Sequence, residues 1–337
     1  GNTTYYSSPK QIGALTDWVV ISNGQSHCLA TKTNGTLWAW GFNASGGLGL
    51  GDTVNRSSPT QIGALTNWST VTAGYFGGLA VKTDGTLWSW GKNNQGQLGL
   101  ADTADRSSPV QVGALTNWLK TAAGYLHSIA IKTDGTLWAW GANNFGQLGL
   151  GNTTNRSSPN QVGALTNWLN IACGYYFTIA TKTDGTIWSW GNGSNGQLGL
   201  GGTSNVSSPS QIGSLTNWLD VSCGAYFSMA IKTDGTLWSW GFNDQGQLGL
   251  GNKTNYQSPK QVGALTNWSI VANGSSASYS IKTDGTLWSW GLNNVGQLGL
   301  GNITYYSSPK QVGSLTGWTS LSKSSGTGLF KVAIART

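Results

Sequence analysis

Two histidines, His27 and His127, are the side chains of this sequence best suited to acid–base chemistry, since imidazole titrates near neutral pH. They stand at the same position of a repeat whose other copies carry Gly, Phe or Ala. The sequence has no Glu, and its 11 acidic residues are all Asp. General acid–base catalysis needs a tuned acid, base or nucleophile in one cleft. We therefore predict structural roles for both histidines and no catalytic residue.

A regular set of aspartates could form a ring of metal ligands: Asp84, Asp134, Asp184, Asp234 and Asp284. Each is followed by Gly, and an Asp-Gly pair between two apolar runs is typical of a hairpin turn. The sequence contains no Asp-x-Asp-x-Asp-Gly calcium loop. We predict turns here, with no metal and no cofactor. The lysine two residues earlier, such as Lys82, is expected to form a solvated pair with the turn aspartate.

Three cysteines and one glycine-rich run offer other kinds of chemistry. Cys28, Cys173 and Cys223 lack metal-ligand spacing and cannot all pair within one chain. Cys173 and Cys223 share one repeat position, so we interpret these two as small packing residues. The run GGLGLG at 46–51 resembles a phosphate loop, but it lacks the Lys-Ser/Thr ending and a following helix. Its leucines are expected to pack between structural units.

The elements that position these residues recur with a period of 50 residues. The phrase SSP-x-Q, once QSP-x-Q, begins at residues 7, 57, 107, 157, 207, 257 and 307. One period holds four short strand patterns, for example STVTAG, GLAVKT, TLWSWG and an outer P-x-Q-V/I-G segment. Units of four strands at this period are typical of β-propeller blades, and no helical period is present. In LWSW both tryptophans lie on one face, which is expected to meet the small-residue face of the next blade.

Counting strands predicts how the ring closes. The proline-containing and Trp-led strands occur seven times, but L/I-W-S/A-W-G occurs six times. We predict one all-β, seven-bladed propeller domain over 1–337, whose seventh blade is formed by both termini and lacks one strand. It comprises an outer strand in 1–17, repeats at about 18–67, 68–117, 118–167, 168–217, 218–267 and 268–317, and a partial blade at 318–337. A thin blade, an outward displacement of FKVAIART, and a strand from a neighbouring molecule are the three alternatives.

The repeat resembles that of the regulator of chromosome condensation family. The phrases that match are Gly-x-x-His-Ser at 124–128, A-x-K-T-D-G-T-L-W-x-W-G and G-x-N-x-x-G-Q-L-G-L-G, recurring over the whole chain. The resemblance implies a seven-bladed β-propeller. The eukaryotic namesake exchanges nucleotide on a small GTPase and binds nucleosomes through a protruding wedge and a basic tail. This sequence has neither feature, so the resemblance implies neither activity here. A secreted bacterial relative that inhibits a β-lactamase implies a fold suited to protein binding.

The most variable positions follow the glycine that ends the innermost strand. The copies are QSH, YFG, YLH, YYF, AYF and SSA, and these turns are expected to meet at one mouth of the central channel. Aromatic side chains there could bind a glycan or a protein, or they could seal the channel mouth. The candidate binding face comprises Tyr75, Phe76, Tyr125, Tyr175, Tyr176, Tyr226 and Phe227.

Thirteen N-x-S/T sequons occur, against roughly six expected by chance. Occupied sequons would indicate an extracellular protein, although loops rich in Asn, Ser and Thr also produce sequons that stay unmodified. Seven precede the SSP phrase, where we expect exposed loops: Asn2, Asn55, Asn152, Asn155, Asn205, Asn252 and Asn302.

Composition narrows the remaining function classes. Charged residues make up 9% of the chain, and although the net charge is +7, the basic residues are scattered, so we expect no nucleic-acid partner. The longest apolar runs are a few residues, so we expect no membrane span. The sequence begins at Gly1 without a signal peptide, as expected of a mature or trimmed product.

Two functions from different classes fit these observations. The first is a non-catalytic extracellular or cell-surface structural propeller, glycosylated and assembling into arrays or fibres through its incomplete seventh blade or its ring faces. The alternative is a monomeric propeller that binds a protein or a glycan through the aromatic turns at one channel mouth.

Overall fold

The computed structural model describes residues 4–13, 16–322, 328 and 333–335. These residues form 26 β-strands, arranged as six four-stranded sheets and one two-stranded sheet. The predicted all-β propeller is confirmed, with six complete blades. Within the described part of the chain, the structure contains no helix that could cross a membrane.

Each complete blade runs in sequence order from an inner to an outer strand, and all neighbouring strands in it are antiparallel. The first three blades contain β1 (Trp18–Asn23), β2 (His27–Lys32), β3 (Leu37–Gly41) and β4 (Arg56–Gln61); β5 (Trp68–Ala73), β6 (Gly77–Lys82), β7 (Leu87–Gly91) and β8 (Arg106–Gln111); and β9 (Trp118–Ala123), β10 (His127–Lys132), β11 (Leu137–Gly141) and β12 (Arg156–Gln161).

The next three blades repeat this arrangement. They contain β13 (Trp168–Cys173), β14 (Phe177–Lys182), β15 (Ile187–Gly191) and β16 (Val206–Gln211); β17 (Trp218–Cys223), β18 (Phe227–Lys232), β19 (Leu237–Gly241) and β20 (Tyr256–Gln261); and β21 (Trp268–Asn273), β22 (Ala277–Lys282), β23 (Leu287–Gly291) and β24 (Tyr306–Gln311). The remaining pair is β25 (Trp318–Leu321) and β26 (Ala333–Ala335).

The Asp-Gly pair forms the turn between the second and third strands, as predicted. In blade two, Gly85 has a φ of +76°, which glycine adopts without strain. The carboxylate of Asp84 accepts hydrogen bonds from the amide and the hydroxyl of Thr86 at 2.9 and 2.6 Å. The Thr86 hydroxyl in turn accepts from the indole of Trp88 at 2.9 Å. These local bonds explain the phrase D-G-T-L-W, which has a structural role here.

Tryptophans pack in the seams between neighbouring blades. Between blades one and two, Trp68 and Trp90 lie in one buried cluster with Leu37 and Ala39 of the preceding blade. The indole Nε1 of Trp90 donates to the carbonyl of Gly47 at 3.0 Å, in the glycine-rich loop of blade one. The predicted contact of the W-x-W face with another blade is present, but it is made to the preceding blade, whose face carries leucines as well as Ala39. The loop leucines take part as well, since Leu48 belongs to the same cluster.

The last two strands occupy the first and second positions of a blade. Trp318 of β25 lies opposite Ala335 of β26, just as Trp268 lies opposite Lys282 in blade six. The proposed outward displacement of FKVAIART is therefore wrong for residues 333–335, which pair at the second-strand position. The rest of that phrase lies outside the described residues.

The N-terminal segment lies beside blade six without forming a strand. Residues 4–13 carry no strand hydrogen bonding, because the W-x-W strand that would pair with them does not occur in the sequence. Ser7 nevertheless accepts a hydrogen bond from the amide of Gly301 at 2.7 Å, as Ser307 of an outer strand does from Gly251 at 2.8 Å. At the inner edge, the hydroxyl of Ser322 donates to the side chain of Asn23. Both ends of the described chain therefore contact the rest of the ring.

Candidate functional site

The turns after the innermost strands of blades three to six are joined to one another at one end of the ring. The amide of Tyr125 donates to the carbonyl of Tyr175 at 3.2 Å, and the amide of Tyr175 donates to Ala225 at 3.1 Å. The amide of Ala225 continues the series to Ser275 at 3.0 Å. These backbone bonds hold the turns in fixed relative positions, so their side chains are presented on a rigid rim.

Aromatic rings from four successive blades form one continuous cluster on this rim. Ring centroids lie 4.3 Å apart for Tyr75 and Tyr125, 5.5 Å for Tyr125 and Tyr175, and 5.3 Å for Tyr175 and Tyr226. Most of the contacts are edge-to-face or tilted, which aromatic pairs prefer. The structure brings together six of the seven predicted residues, all half-buried: Tyr75, Phe76, Tyr125, Tyr175, Tyr176 and Tyr226.

Phe227 does not belong to this face, and its inclusion was wrong. It begins β18 and is fully buried, packed with Trp268 and Trp290 in the seam between blades five and six. The sequence interpretation missed two other contributors. The ring of Phe145 lies 5.1 Å from that of Tyr176, and the ammonium of Lys92 lies 5.0 Å from the ring of Phe76.

These two residues come from the glycine-rich loops that follow the third strand. Because the second and third strands are antiparallel, the loop after the third strand returns to the end where the inner turn lies. The amide of Lys92 donates to the carbonyl of Phe76 at 3.2 Å, which shows this proximity directly. The inner turns and the glycine-rich loops, considered together, could have predicted that Phe145 and Lys92 extend the aromatic face.

The inner turns around the mouth differ in polarity from blade to blade. Blades two to five supply the aromatic cluster, while Gln25, Ser26, Ser275 and Ser276 occupy the equivalent turns of blades one and six. A partner that approaches this mouth therefore meets an asymmetric surface, although the strands that carry it repeat closely.

The phenol groups of Tyr75, Tyr176 and Tyr226 stay neutral at physiological pH. Burial, together with the neighbouring tyrosines, raises the pKa of Tyr75 to about 12. Burial is also the main cause that raises the pKa of Tyr176 and Tyr226 above the usual value. Each neutral hydroxyl can donate or accept a hydrogen bond at the edge of an apolar ring surface.

The rim offers a shallow surface. A cleft beside the cluster, lined by residues 74–79 and 123–128, has a volume of about 30 Å³. That volume has room for only a few water molecules, whereas pockets for small molecules measure hundreds of Å³. The geometry suits contact with an extended surface.

Two family models match the sequence over most of its length. The RCC1-like domain matches residues 1–272, and the regulator of chromosome condensation (RCC1) repeat matches residues 284–326. The chain belongs to the RCC1-like family. The resemblance stated from the repeat phrases is thereby confirmed.

Solved RCC1-like structures share this fold at low sequence identity. Human WBSCR16 has a TM-score of 0.87 and 20% identity, covering 98% of this chain and 90% of that chain. Prp20p from Saccharomyces cerevisiae, described together with its binding to Gsp1p and histones, has a TM-score of 0.81 and 21% identity, covering 95% and 83%. Yeast RCC1 (Prp20) bound to Kap60 has a TM-score of 0.80 and 20% identity, covering 95% and 81%. No curated protein matches this chain by sequence.

The two histidines of this RCC1-like chain lie in the seams between blades. His27 Nε2 is 3.2 Å from the carbonyl of Gly77, and His127 Nε2 is 3.2 Å from the hydroxyl of Thr178. Both side chains are buried, and burial lowers the pKa of His27 to about 4 and that of His127 to about 3. The imidazoles are therefore neutral at physiological pH and bridge adjacent blades.

The lysines beside the Asp-Gly turns are buried in the RCC1-like blades, so the expected solvated pairs were wrong. Lys132 is 5% exposed, and its ammonium lies 3.7 Å from the ring centroid of Trp138 and 4.8 Å from that of Trp118. Burial lowers the pKa of Lys132, and Asp134 partly opposes that shift. We call this contact between a lysine ammonium and tryptophan rings a lysine clamp. It recurs at Lys32, Lys82, Lys182, Lys232 and Lys282.

The sequon asparagines of the RCC1-like repeat fall into two structural groups. Asn55, Asn155 and Asn205 are exposed, whereas Asn152 and Asn302 are half-buried within their loops. Asn252 is half-buried as well, and Asn2 lies outside the described residues.

The cysteines of the RCC1-like chain form no disulfide and are all buried. Burial raises the pKa of the Cys173 thiol to about 12 and raises that of Cys223 well above its usual value. No cluster of metal-ligating side chains occurs among the described residues. The structure thus places Cys173 and Cys223 in the packing role that their repeat position indicated.

Proposed function

We propose that this RCC1-like chain is a non-catalytic binding propeller that holds a protein partner on its aromatic mouth. The observation that carries the proposal is the continuous cluster from Tyr75 through Tyr125 and Tyr175 to Tyr226. Tyrosine is enriched at the energetic centres of protein interfaces, because a stiff amphipathic ring buries much area at a small entropy cost.

Three further features favour a protein over a small molecule. The neighbouring cleft is too small for a substrate, the turns are fixed by backbone hydrogen bonds, and Lys92 adds one positive charge at the edge of the cluster. A rigid, shallow surface of aromatic and polar groups can bind a partner without the entropy cost of ordering its loops first. Solved relatives with protein partners support this choice, since Prp20p is described with Gsp1p and histones.

The test compares the double variant Tyr125→Ala/Tyr175→Ala with wild type and with Tyr305→Ala, which removes an exposed tyrosine outside the mouth. Each immobilised protein is presented with proteins from its native source and with a glycan array. Capture of one protein by wild type and Tyr305→Ala, lost in the double variant, is the expected result. Loss of a glycan signal alone would assign the mouth to sugars. Capture that survives in the double variant would overturn the proposal.

A second candidate function is an extracellular or cell-surface structural propeller that self-assembles. The observation that favours it is a ring of exposed leucines at the end opposite the aromatic mouth. Each precedes an innermost strand, whereas the aromatic turns follow it. Leu65, Leu115, Leu165, Leu215, Leu265 and Leu315 are each 46 to 56% exposed. Exposed leucines repeated at one end of the ring supply apolar area that a second ring could bury.

Stacking of rings through this end tests the second candidate. We expect wild-type protein at high concentration to form dimers or longer stacks in light scattering and negative-stain images. Replacing Leu115, Leu165 and Leu215 by Ser should return it to a monomer, while the mouth variant should still stack. A strictly monomeric wild type contradicts self-assembly by this face.

We also infer that the ring has seven blade positions, with β25, β26 and the N-terminal segment sharing the seventh. Two contacts support this inference. Ser7 receives the loop hydrogen bond that outer-strand serines receive elsewhere, and Ser322 links the end of β25 to Asn23 at the end of β1.

A further inference from the structure

One exposed loop position has the same hydrogen-bonding task in most blades. The side-chain Oδ1 of Asn55 accepts a hydrogen bond from the amide of Asn43 at 2.8 Å, and that of Asn155 accepts from Asn143 at 2.8 Å. Asn205 accepts in the same way from Gly193 at 3.1 Å. The bond fixes the start of each glycine-rich loop. It uses only the oxygen of the amide group.

Blade two shows that the amide nitrogen is not needed for this task. There the position is Asp105, whose Oδ1 accepts from the amide of Asn93 at 2.7 Å. A carboxylate has no Nδ2 group to donate. The loop is therefore complete without Nδ2, and a substituent on that atom leaves the fixing bond intact. In blade three Nδ2 of Asn155 donates to the side chain of Gln95, a bond at the exposed surface.

The other sequons of the same loops differ in this respect. Nδ2 of Asn152 donates inward to the carbonyl of Leu150 at 3.2 Å, and Nδ2 of Asn252 donates to the hydroxyl of Tyr256 at 3.2 Å. These side chains are half-buried. A bulky group on Nδ2 would break the inward bonds and displace the loop.

We propose that Asn55, Asn155 and Asn205 are N-glycosylation sites of this chain. The proposal rests on the extracellular function suggested above. The donor class is an oligosaccharide linked through a diphosphate to a lipid. Nδ2 forms a bond to the anomeric carbon of the sugar, the bond between that carbon and the diphosphate breaks, and the transferase removes one proton from Nδ2. The lipid diphosphate leaves, and no oxidation or reduction occurs.

The chain contains a matched control for this proposal. Asn255 is exposed and its Oδ1 accepts from the amide of Asn243 at 2.7 Å, as at the proposed sites. Its sequence is Asn-Tyr-Gln, which is not a sequon. The single substitution Gln257→Ser creates a sequon there without changing the asparagine.

The experiment expresses the whole chain in a secretory host that N-glycosylates proteins and maps the occupied asparagines by glycopeptide mass spectrometry. We expect glycans at Asn55, Asn155 and Asn205, none at Asn152, Asn252 or Asn302, and a fourth glycan at Asn255 in Gln257→Ser. Absence of glycans from all three sites, or preferential occupancy of the half-buried group, overturns the proposal.

The same mapping on natively sourced protein separates the site assignment from the proposed compartment. Occupancy in the host with unmodified native protein would leave the site chemistry standing and contradict the extracellular function. Native occupancy at the three sites supports both.

Discussion

The phenol hydroxyl of Tyr279 donates a hydrogen bond to the main-chain carbonyl of Gln297 at 2.8 Å. At the preceding seam the equivalent carbonyl, that of Gln247, accepts from the indole of Trp290 at 3.0 Å. No W-x-W phrase follows blade six in the sequence, and the other five copies carry Leu, Ile or Met at the position of Tyr279. The chain thus satisfies this half-buried acceptor with a residue of blade six itself.

We predict that Tyr279→Phe destabilises the fold by about 1 kcal/mol, because it removes the hydrogen bond to a half-buried carbonyl. Urea unfolding measures the change. Tyr226→Phe is the control, since its half-exposed hydroxyl lies at the mouth. Equal, small effects of the two substitutions would show that the Tyr279 hydroxyl does not stabilise the seam.

The period of 50 residues was enough to predict the four strands of each blade and the seams filled by tryptophan. It could not predict that Lys82 is buried, because lysine is usually exposed and its aromatic partners are apart in sequence. Only antiparallel pairing places Lys82 opposite Trp68, with Trp88 on the adjacent strand. Similarly, the pattern of the inner turns did not show that Phe227 already belongs to the next strand.

The lysine clamps are expected to stabilise each blade through the attraction between the ammonium and two indole faces. Lys132→Met keeps much of the apolar stem and removes the charge. We predict a loss of about 1 to 2 kcal/mol in the free energy of unfolding, the range for a desolvated cation–π contact. Lys253→Met, at an exposed loop position, is the control and should change stability little. An unchanged or higher stability of Lys132→Met would mean that the cost of burying the charge exceeds the attraction.

Two glycines of blade two allow backbone strain and side-chain crowding to be tested separately. Gly99 has a φ of +73°, and a Cβ there would lie 2.9 Å from Nε1 of Trp140. Gly113 has a φ of +60°, but a Cβ there would meet nothing within 4 Å. We predict that Gly113→Ala costs roughly 1 to 2 kcal/mol from the left-handed conformation alone, and that Gly99→Ala costs clearly more. Thermal unfolding of the two variants provides the comparison, and equal losses would rule out a steric contribution from the tryptophan.

The buried histidines should make the propeller sensitive to mild acid. Their pKa in the folded state, about 4 for His27 and about 3 for His127, lies below the ordinary histidine value of 6.5. Below pH 6.5 the two histidines bind protons in the unfolded chain but not in the folded chain. The free energy of unfolding is therefore greatest above pH 6.5 and falls as the pH decreases toward the folded pKa. At about pH 4.5 the loss should reach roughly 2.5 kcal/mol for each histidine.

Phenylalanine fits the same repeat position in blades four and five, where Phe177 and Phe227 are fully buried. The double variant His27→Phe/His127→Phe should therefore fold and should lose little stability between pH 7 and about pH 4.5, a range in which the depressed carboxylates stay ionised. Denaturant midpoints at several pH values measure this difference. If the variant and wild type lose stability in parallel over this range, groups other than the two histidines govern the response to acid.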